Sequence, residues 1–232
     1  LIGGYDGSYT TTIQSYNIST TGNAQEFGDI DVARGFAGQT GSKQRGLMFG
    51  GDAAAPVAGD TQIRYIEFST KGNSADFGDL TQNTFVNGSH GNNTRAFSIA
   101  GATPSATDVI SYITPQSLGN AADFGDTLSA SNNTSSMGSS TRAVTAGGST
   151  PEANIIEYFT MSTTGNGADF GDLSASRTKM GALSSSTRGV FAGGEQSPTG
   201  VLNIMEYVTI DTTGNATDFG DLLAAAQYVQ GA

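Results

Sequence analysis

Short apolar runs that end in glycine recur along the chain, and each is followed, after a polar loop, by a second run that carries one tyrosine. The first kind comprises Leu1-Ile2-Gly3-Gly4, Arg45-Gly46-Leu47-Met48-Phe49-Gly50-Gly51, Arg95-Ala96-Phe97-Ser98-Ile99-Ala100-Gly101, Arg142-Ala143-Val144-Thr145-Ala146-Gly147-Gly148 and Arg188-Gly189-Val190-Phe191-Ala192-Gly193-Gly194. Runs that are apolar at successive positions and bounded by turn residues suit strands buried on both faces. The second kind is placed on Tyr16, Tyr65, Tyr112, Tyr158 and Tyr207, and stretches such as Ile155-Ile156-Glu157-Tyr158-Phe159-Thr160 have the β-branched and aromatic make-up of strands. A Gly-Asn turn signal comes next, and an Asp-Phe-Gly-Asp stretch then predicts an outer strand and its exit. A weaker run, such as Lys179-Met180-Gly181-Ala182-Leu183 or Val32-Ala33-Arg34-Gly35-Phe36-Ala37, leads into the next glycine-terminated strand. Apolar stripes of helical period and helix caps are hard to find.

The pattern repeats as a unit. Phe27, Phe77, Phe124, Phe170 and Phe219 mark its copies, at spacings of 50, 47, 46 and 49 residues. Four strand-length runs per period are too many for one rung of a β-solenoid and match the four-stranded blade of a propeller. The expected fold is therefore all-β: a five-bladed β-propeller of four-stranded antiparallel blades, forming a single domain over residues 1–232. The C-terminal Tyr228-Val229-Gln230-Gly231-Ala232 resembles an inner strand and Leu1-Ile2-Gly3-Gly4 the strand that follows it, so the two termini are expected to share one blade. Such closure removes open strand edges. Further copies outside this chain would raise the blade count.

Composition narrows the possibilities. A length of 232 residues is ordinary for one closed all-β unit. With 36% hydrophobic residues, 33 glycines and no tryptophan, the core must be built largely of small and β-branched side chains between frequent tight turns. The net charge of -11 and the lack of any Lys/Arg run argue against a nucleic-acid partner, whose phosphates need clustered cations. The absence of cysteine removes disulfides and thiolate metal sites. No apolar run approaches the roughly 18 residues of a membrane span, so no membrane insertion is expected. No signal-like segment opens the chain, and its first residue is leucine, so it reads as a processed or excised piece.

The glycine pair, the tyrosine about a strand later and the aromatic near the outer strand resemble the Kelch repeat over essentially the whole chain. The tryptophan usual in that repeat is missing, and the five recurrent phenylalanines are its nearest stand-ins. The wording of Thr187-Arg188-Gly189-Val190-Phe191-Ala192-Gly193-Gly194 together with residues 206–222 is similar to repeats in proteins of marine bacteriophages, cyanophages especially, some of which look like virion or tail-fibre components. What this resemblance implies is a propeller displayed on a phage particle, exposed to the medium. Its partners would be other virion proteins or a host-surface glycan or receptor.

Candidate chemistry is sparse. Asp29, Asp79, Asp126, Asp172 and Asp221 recur at one position of each repeat and have two readings: a set of oxygen ligands for calcium, or caps of the outer-strand exit bonding to backbone. No other cofactor is indicated. Glu26, Asp76, Asp123, Asp169 and Asp218 read as solvated strand positions. Phe27, Phe77, Phe124, Phe170 and Phe219 read as anchors between neighbouring blades. Arg45, Arg95, Arg142 and Arg188 are expected to bond carbonyls or acids of a neighbouring blade, the alternative being a cationic ring that reads acidic sugars. The single histidine, His90, lies in a turn-like segment and is expected to be a solvated loop residue, so neither a His-based triad nor a His metal cluster can be assembled. A copper-radical oxidase of the Kelch type would need a cysteine cross-linked to tyrosine. A carboxylate pair for glycoside hydrolysis is conceivable, but nothing distinguishes one pair among the 21 acids. No enzyme is expected.

Specificity is sought instead in the loops that differ between repeats, since variable loops on a rigid repeated scaffold are where binding usually lives. Tyr5, Asp6 and Tyr9 form the leading cluster, an aromatic face beside acidic oxygens that suits a sugar. Asp52, Asp60, Asp108, Glu152 and Glu195 are the acids of the other variable loops. The expected function is a non-enzymatic binding or display module that contacts a host surface, with a structural virion subunit as the alternative and a polysaccharide hydrolase third.

Overall fold

Most periods of the sequence become one antiparallel sheet in the computed structural model, which describes residues 2–5, 7–53 and 59–229. In the second repeat the strands Gly38–Gly41, Arg45–Phe49, Asp60–Glu67 and Ala75–Thr84 lie side by side in chain order. The third repeat does the same with Gly88–Gly91, Ala96–Ala102, Ala106–Ile113 and Ala122–Ser131. The fourth uses Ser135–Gly138, Arg142–Ala146, Ile155–Thr160 and Ala168–Asp172, and the fifth Gly181–Ser184, Arg188–Ala192, Ile204–Thr209 and Thr217–Asp221. A two-stranded hairpin, Glu195–Gln196 with Gly200–Val201, projects from the fifth. Among the described residues there is no helix, and hence none long and apolar enough to cross a membrane.

The first sheet differs. Ile2–Tyr5, Tyr9–Ser15 and Gln25–Gly35 are completed by Asp52–Ala53, a short strand of the following repeat. The terminal strand expected to complete it spans residues 228–232, of which 230–232, like Leu1, lie outside the described residues; Tyr228 and Val229 are described and are not strand.

The glycine-terminated runs are the buried second strands, as apolarity on both faces requires: Leu47, Phe49, Phe97, Ile99, Val144 and Phe191 are completely enclosed. Their first terminal glycine is left-handed, at φ +59° for Gly50, +67° for Gly147 and +64° for Gly193, and the third repeat holds Ala100 at +54° in the same place. That conformation suits glycine because a Cβ crowds the following carbonyl.

Consecutive repeats are laced at three levels. At the rim, the Gly-Asn turn of one repeat lies on the Phe-Gly-Asp of the repeat before it. The N–H groups of Gly72, Gly119, Gly165 and Gly214 donate to the carbonyls of Phe27, Phe77, Phe124 and Phe170 at 2.7–2.9 Å. In return the N–H groups of Asp29, Asp79, Asp126 and Asp172 donate to Oδ1 of Asn73, Asn120, Asn166 and Asn215 at 3.0–3.1 Å. On the variable-loop side, the tail of each outer strand pairs with the residue after the next glycine pair, as in Gly35 with Asp52, Phe85 with Ala102, Asn132 with Ser149 and Thr178 with Glu195. Towards the inside, the N–H groups of Val86, Asn133, Lys179 and Tyr228 donate in turn to the carbonyls of Phe36, Val86, Asn133 and Lys179 at 2.7–3.2 Å. All five residues of this series are left-handed, with φ between +49° and +58°.

Two sequence expectations are corrected by register. Ser15, not Tyr16, occupies the place of Tyr65, Tyr112, Tyr158 and Tyr207, since Ser15 pairs with Gln25 as Tyr65 pairs with Ala75. Tyr16 lies one residue past the strand and is 57% exposed. His90 is not a solvated loop residue. It sits on the innermost strand Gly88–Gly91, its Nε2–H donates to the Ser139 carbonyl of the next sheet at 3.0 Å, and burial pushes its pKa down.

Candidate functional site

A cavity of about 670 Å³ has walls that include the innermost strands, and its lining carries the aromatic side chains of Tyr5, from the first variable loop, Phe36 and Tyr228. Tyr5 and Tyr9 flank the first hairpin with ring centroids 5.2 Å apart, and Phe36 packs on both, at 5.8 and 6.4 Å. Phe36 in turn lies 6.0 Å from the ring of Tyr228. Tyr5 and Tyr228 are 56% and 47% exposed, large apolar faces left in water beside a concave site. Below them the wall is lined by small and polar groups, among them Gly38, Asn87, Ser89 and Ser135.

The acids of the loops are mostly committed to partners. Asp52 accepts the Tyr9 hydroxyl at 2.6 Å, and that bond, helped by burial and by the carboxylate charge, pushes the Tyr9 pKa up to about 12. Asp60 is ion-paired with the buried Arg34, whose other branch donates to Gln62 at 2.8 Å. Glu195 receives Lys179 Nζ at 2.5 Å, which raises the lysine pKa, and the same ammonium stands 5.4 Å from the Tyr228 ring. Tyr5, Tyr9, Asp52 and Glu195 are thus linked at one mouth through Phe36, Tyr228 and Lys179. Two other acids are not brought into the cluster. Glu152 accepts the Ser197 N–H, and Asp108 lies on the strand Ala106–Ile113, where its carbonyl accepts from Thr127. Asp6 lies outside the described residues.

Sequence reasoning missed Phe36, Tyr228, Lys179 and Arg34. The signal was present in the period: Phe36, Val86, Asn133, Lys179 and Tyr228 each follow a recurrent phenylalanine by nine residues. Aligning the repeats there shows an aromatic residue only in the first and last copies.

The recurrent side chains have mechanical duties. Asp29 and Asp79 accept hydroxyls of Thr11 and Thr61 at 2.9 and 3.0 Å, while the backbone cap at this position comes from the asparagine of the next repeat and not from the aspartate. Asp126, Asp172 and Asp221 occupy the same place on three further sheets. Among the described residues no three His, Asp or Glu side chains gather as a group able to hold a metal ion. Arg45, Arg95, Arg142 and Arg188 stack 4.2–4.7 Å from the centroids of Tyr65, Tyr112, Tyr158 and Tyr207. The first three also donate to the carbonyls of Pro115, Met161 and Ile210 in the next repeat, each at 2.8 Å. Phe77, Phe124 and Phe170 are enclosed and Phe27 is half-buried, but Phe219 is exposed, contrary to its expected role as an anchor: among the described residues no turn of another repeat is bonded over it.

The chain matches none of the known protein families and none of the curated proteins with which it was compared.

Proposed function

We propose that the chain is a five-bladed β-propeller acting as a non-enzymatic binding module, displayed on a phage tail or fibre, whose variable-loop face takes a carbohydrate of the host surface. Ring closure is supported by the series of left-handed residues, which runs through four hydrogen bonds from Phe36 to Tyr228 and ends with those two rings 6.0 Å apart. The observation that carries the binding role is the pair of exposed rings Tyr5 and Tyr228, bridged by the half-buried Phe36, all three lining a cavity of about 670 Å³. Pockets of a few hundred Å³ with aromatic walls and a few polar groups are what small ligands occupy. An aromatic face supplies apolar contact to the C–H side of a sugar while backbone and hydroxyl groups below meet its oxygens. The phage setting rests on the resemblance of the repeat wording.

A glycan array and a host-cell adsorption assay test the reading. The wild-type chain is expected to bind a restricted set of glycans, and Tyr5→Ala, at an exposed position, to lose that binding while melting normally. No binding to glycans or cells by the wild type would sink the proposal. A structural virion subunit is the second reading, favoured by the exposed Tyr16, Ile18, Phe68 and Leu118 on the turns between third and fourth strands, at 51–90% exposure. Locating the chain within the particle, at a tip or in the body, separates the two.

A further inference from the structure

The last copy of the repeated stretch departs from the others at its outer edge. Phe77, Phe124 and Phe170 are 2–3% exposed, whereas Phe219 is 50% exposed. The cause is the clasp described above, which is made four times between consecutive repeats. A Cβ built on Gly28, Gly78, Gly125 or Gly171 would stand 2.1–2.5 Å from the glycine carbonyl of the turn lying over it, so the turn docks where only glycine leaves room. On Gly220 such a Cβ would meet nothing within 4 Å.

The complementary half of a clasp also lies bare, in the first repeat. Thr21-Gly22-Asn23-Ala24 has the make-up of the docking turns, with the glycine and alanine that donate N–H groups and the asparagine that supplies Oδ1. Ala24 is exposed, whereas Ser74, Ala121, Gly167 and Ala216, its equivalents in the four docked turns, are half-buried. Among the described residues no backbone hydrogen bond joins residues 22–24 to residues 219–221. Both unpaired halves keep the residue types that the paired halves use. On the inside of the molecule the same two repeats already meet through Phe36 and Tyr228.

We propose that the Phe219-Gly220-Asp221 edge is the docking surface for the Thr21–Ala24 turn of the same chain, forming a fifth clasp that locks the rim. The inference rests on the five-bladed reading but adds a contact which that reading does not require, because inner contacts alone can hold the ends together. The four existing clasps state the chemistry: Gly22 N–H to the Phe219 carbonyl, Ala24 N–H to the Asp221 carbonyl, and Asp221 N–H to Asn23 Oδ1. A turn held in the same molecule has a local concentration far above that of any free partner, which favours the chain's own turn over that of a second copy.

Amide hydrogen exchange on the wild-type chain tests this. Gly22 and Ala24 are expected to exchange within about tenfold of Gly119 and Ala121, in a species whose sedimentation is independent of concentration. Exchange at the rate of an open turn overturns the proposal, and so does protection that appears only with concentration-dependent association, which would assign the edge to a second copy. As an independent readout, Phe219→Ala is expected to lower Tm by about 6–20 °C, the range for a buried phenylalanine in a domain of this size. A negligible change overturns the clasp. Side-chain NOEs between Phe36 and Tyr228 report the ring separately: if they are seen while Gly22 and Ala24 exchange freely, the ring stands and the clasp falls.

Discussion

Two buried glutamates at equivalent places show how a single neighbour sets the chemistry of a side chain. Glu206 pairs with the fully buried Arg177 and accepts the Ser174 N–H at 2.9 Å. Arg177 is also held by the carbonyls of Gly193 and Ile204 at 3.0 and 3.2 Å. Glu157 is 8% exposed and accepts the Leu128 N–H at 2.7 Å, but one repeat before Arg177 stands Ser131, which brings no cation. Asp169, opposite Glu157 in register, is an exposed acid. Burial therefore pushes the Glu157 pKa from 4.5 up to about 7, against the lowering effect of the Leu128 N–H. The carboxyl also explains Gly167, where the other turns have alanine or serine: a Cβ there would lie 2.6 Å from Glu157 Oε2. Between about pH 4.5 and 7 the folded chain keeps a proton that the unfolded chain has released. This stabilisation is complete below the ordinary glutamate pKa and is lost as pH rises through the folded value. Glu157→Gln, which stays neutral, should match the wild type near pH 4.5 and exceed it at pH 8 by up to about 3 kcal/mol in urea unfolding. A stability difference that is flat with pH would contradict this account.

At the scale of the element, the outer strand and its turn carry the repeat-to-repeat contact. Phe77, Phe124 and Phe170 are each touched edge-on by the tyrosine of their own sheet, as in Tyr158 with Phe170 at 5.9 Å, and that tyrosine lies under an arginine. The stack joins second, third and fourth strands, and the clasp then joins the sheet to its neighbour. Phe170 sits in a core cluster with Val144, Ile156, Phe191 and Val208, residues of both the fourth and fifth sheets. Phe170→Ala should therefore cost about 3–5 kcal/mol, a large part of a typical domain's total stability of about 5–15 kcal/mol. Asn166→Ala removes one hydrogen bond at an exposed position, to the Asp126 N–H, and should cost only about 0.5–1.5 kcal/mol. Equilibrium denaturation of the two variants side by side checks the order, and an unchanged midpoint in Phe170→Ala would show that the phenylalanine is not an anchor.

Over the whole molecule, contacts run from each repeat to the next, so stability is built up as a series of similar interfaces. Among the described residues the variable loop that lines the aromatic mouth is the first, through Tyr5. The net charge of -11 is spread over the surface, while the cations near that mouth are neutralised locally, Lys179 by Glu195 and Arg34 by Asp60. A ligand held there by aromatic contact and hydrogen bonds gains little from long-range charge. Its affinity, measured calorimetrically with a glycan identified on the array, should change less than about twofold between 0.05 and 0.5 M salt, whereas a site relying on free charges would weaken steeply.

Periodicity along the chain determined the architecture of the repeat. Four strands per unit, the buried second strand, the glycine exit and the Gly-Asn turn were all legible, because each depends on local alternation and on backbone angles that particular residues favour. The buried phenylalanines Phe77, Phe124 and Phe170 were legible for the same reason, since a residue needed at an interface recurs with the period, whereas the exposure of Phe219 was not. Pairing between sheets was not legible. Which glutamate meets an arginine and which loop acid is taken up by Tyr9 or Lys179 depend on side chains brought together from neighbouring repeats, and how Tyr5 and Tyr228 come to share a mouth depends on repeats at opposite ends of the chain. Register mattered equally: a shift of one residue removed Tyr16 from the series, a difference that composition does not register but a strand pairing decides. Local pattern specifies what every repeat must do to fold, and only tertiary contact selects which side chains of a single repeat are left exposed.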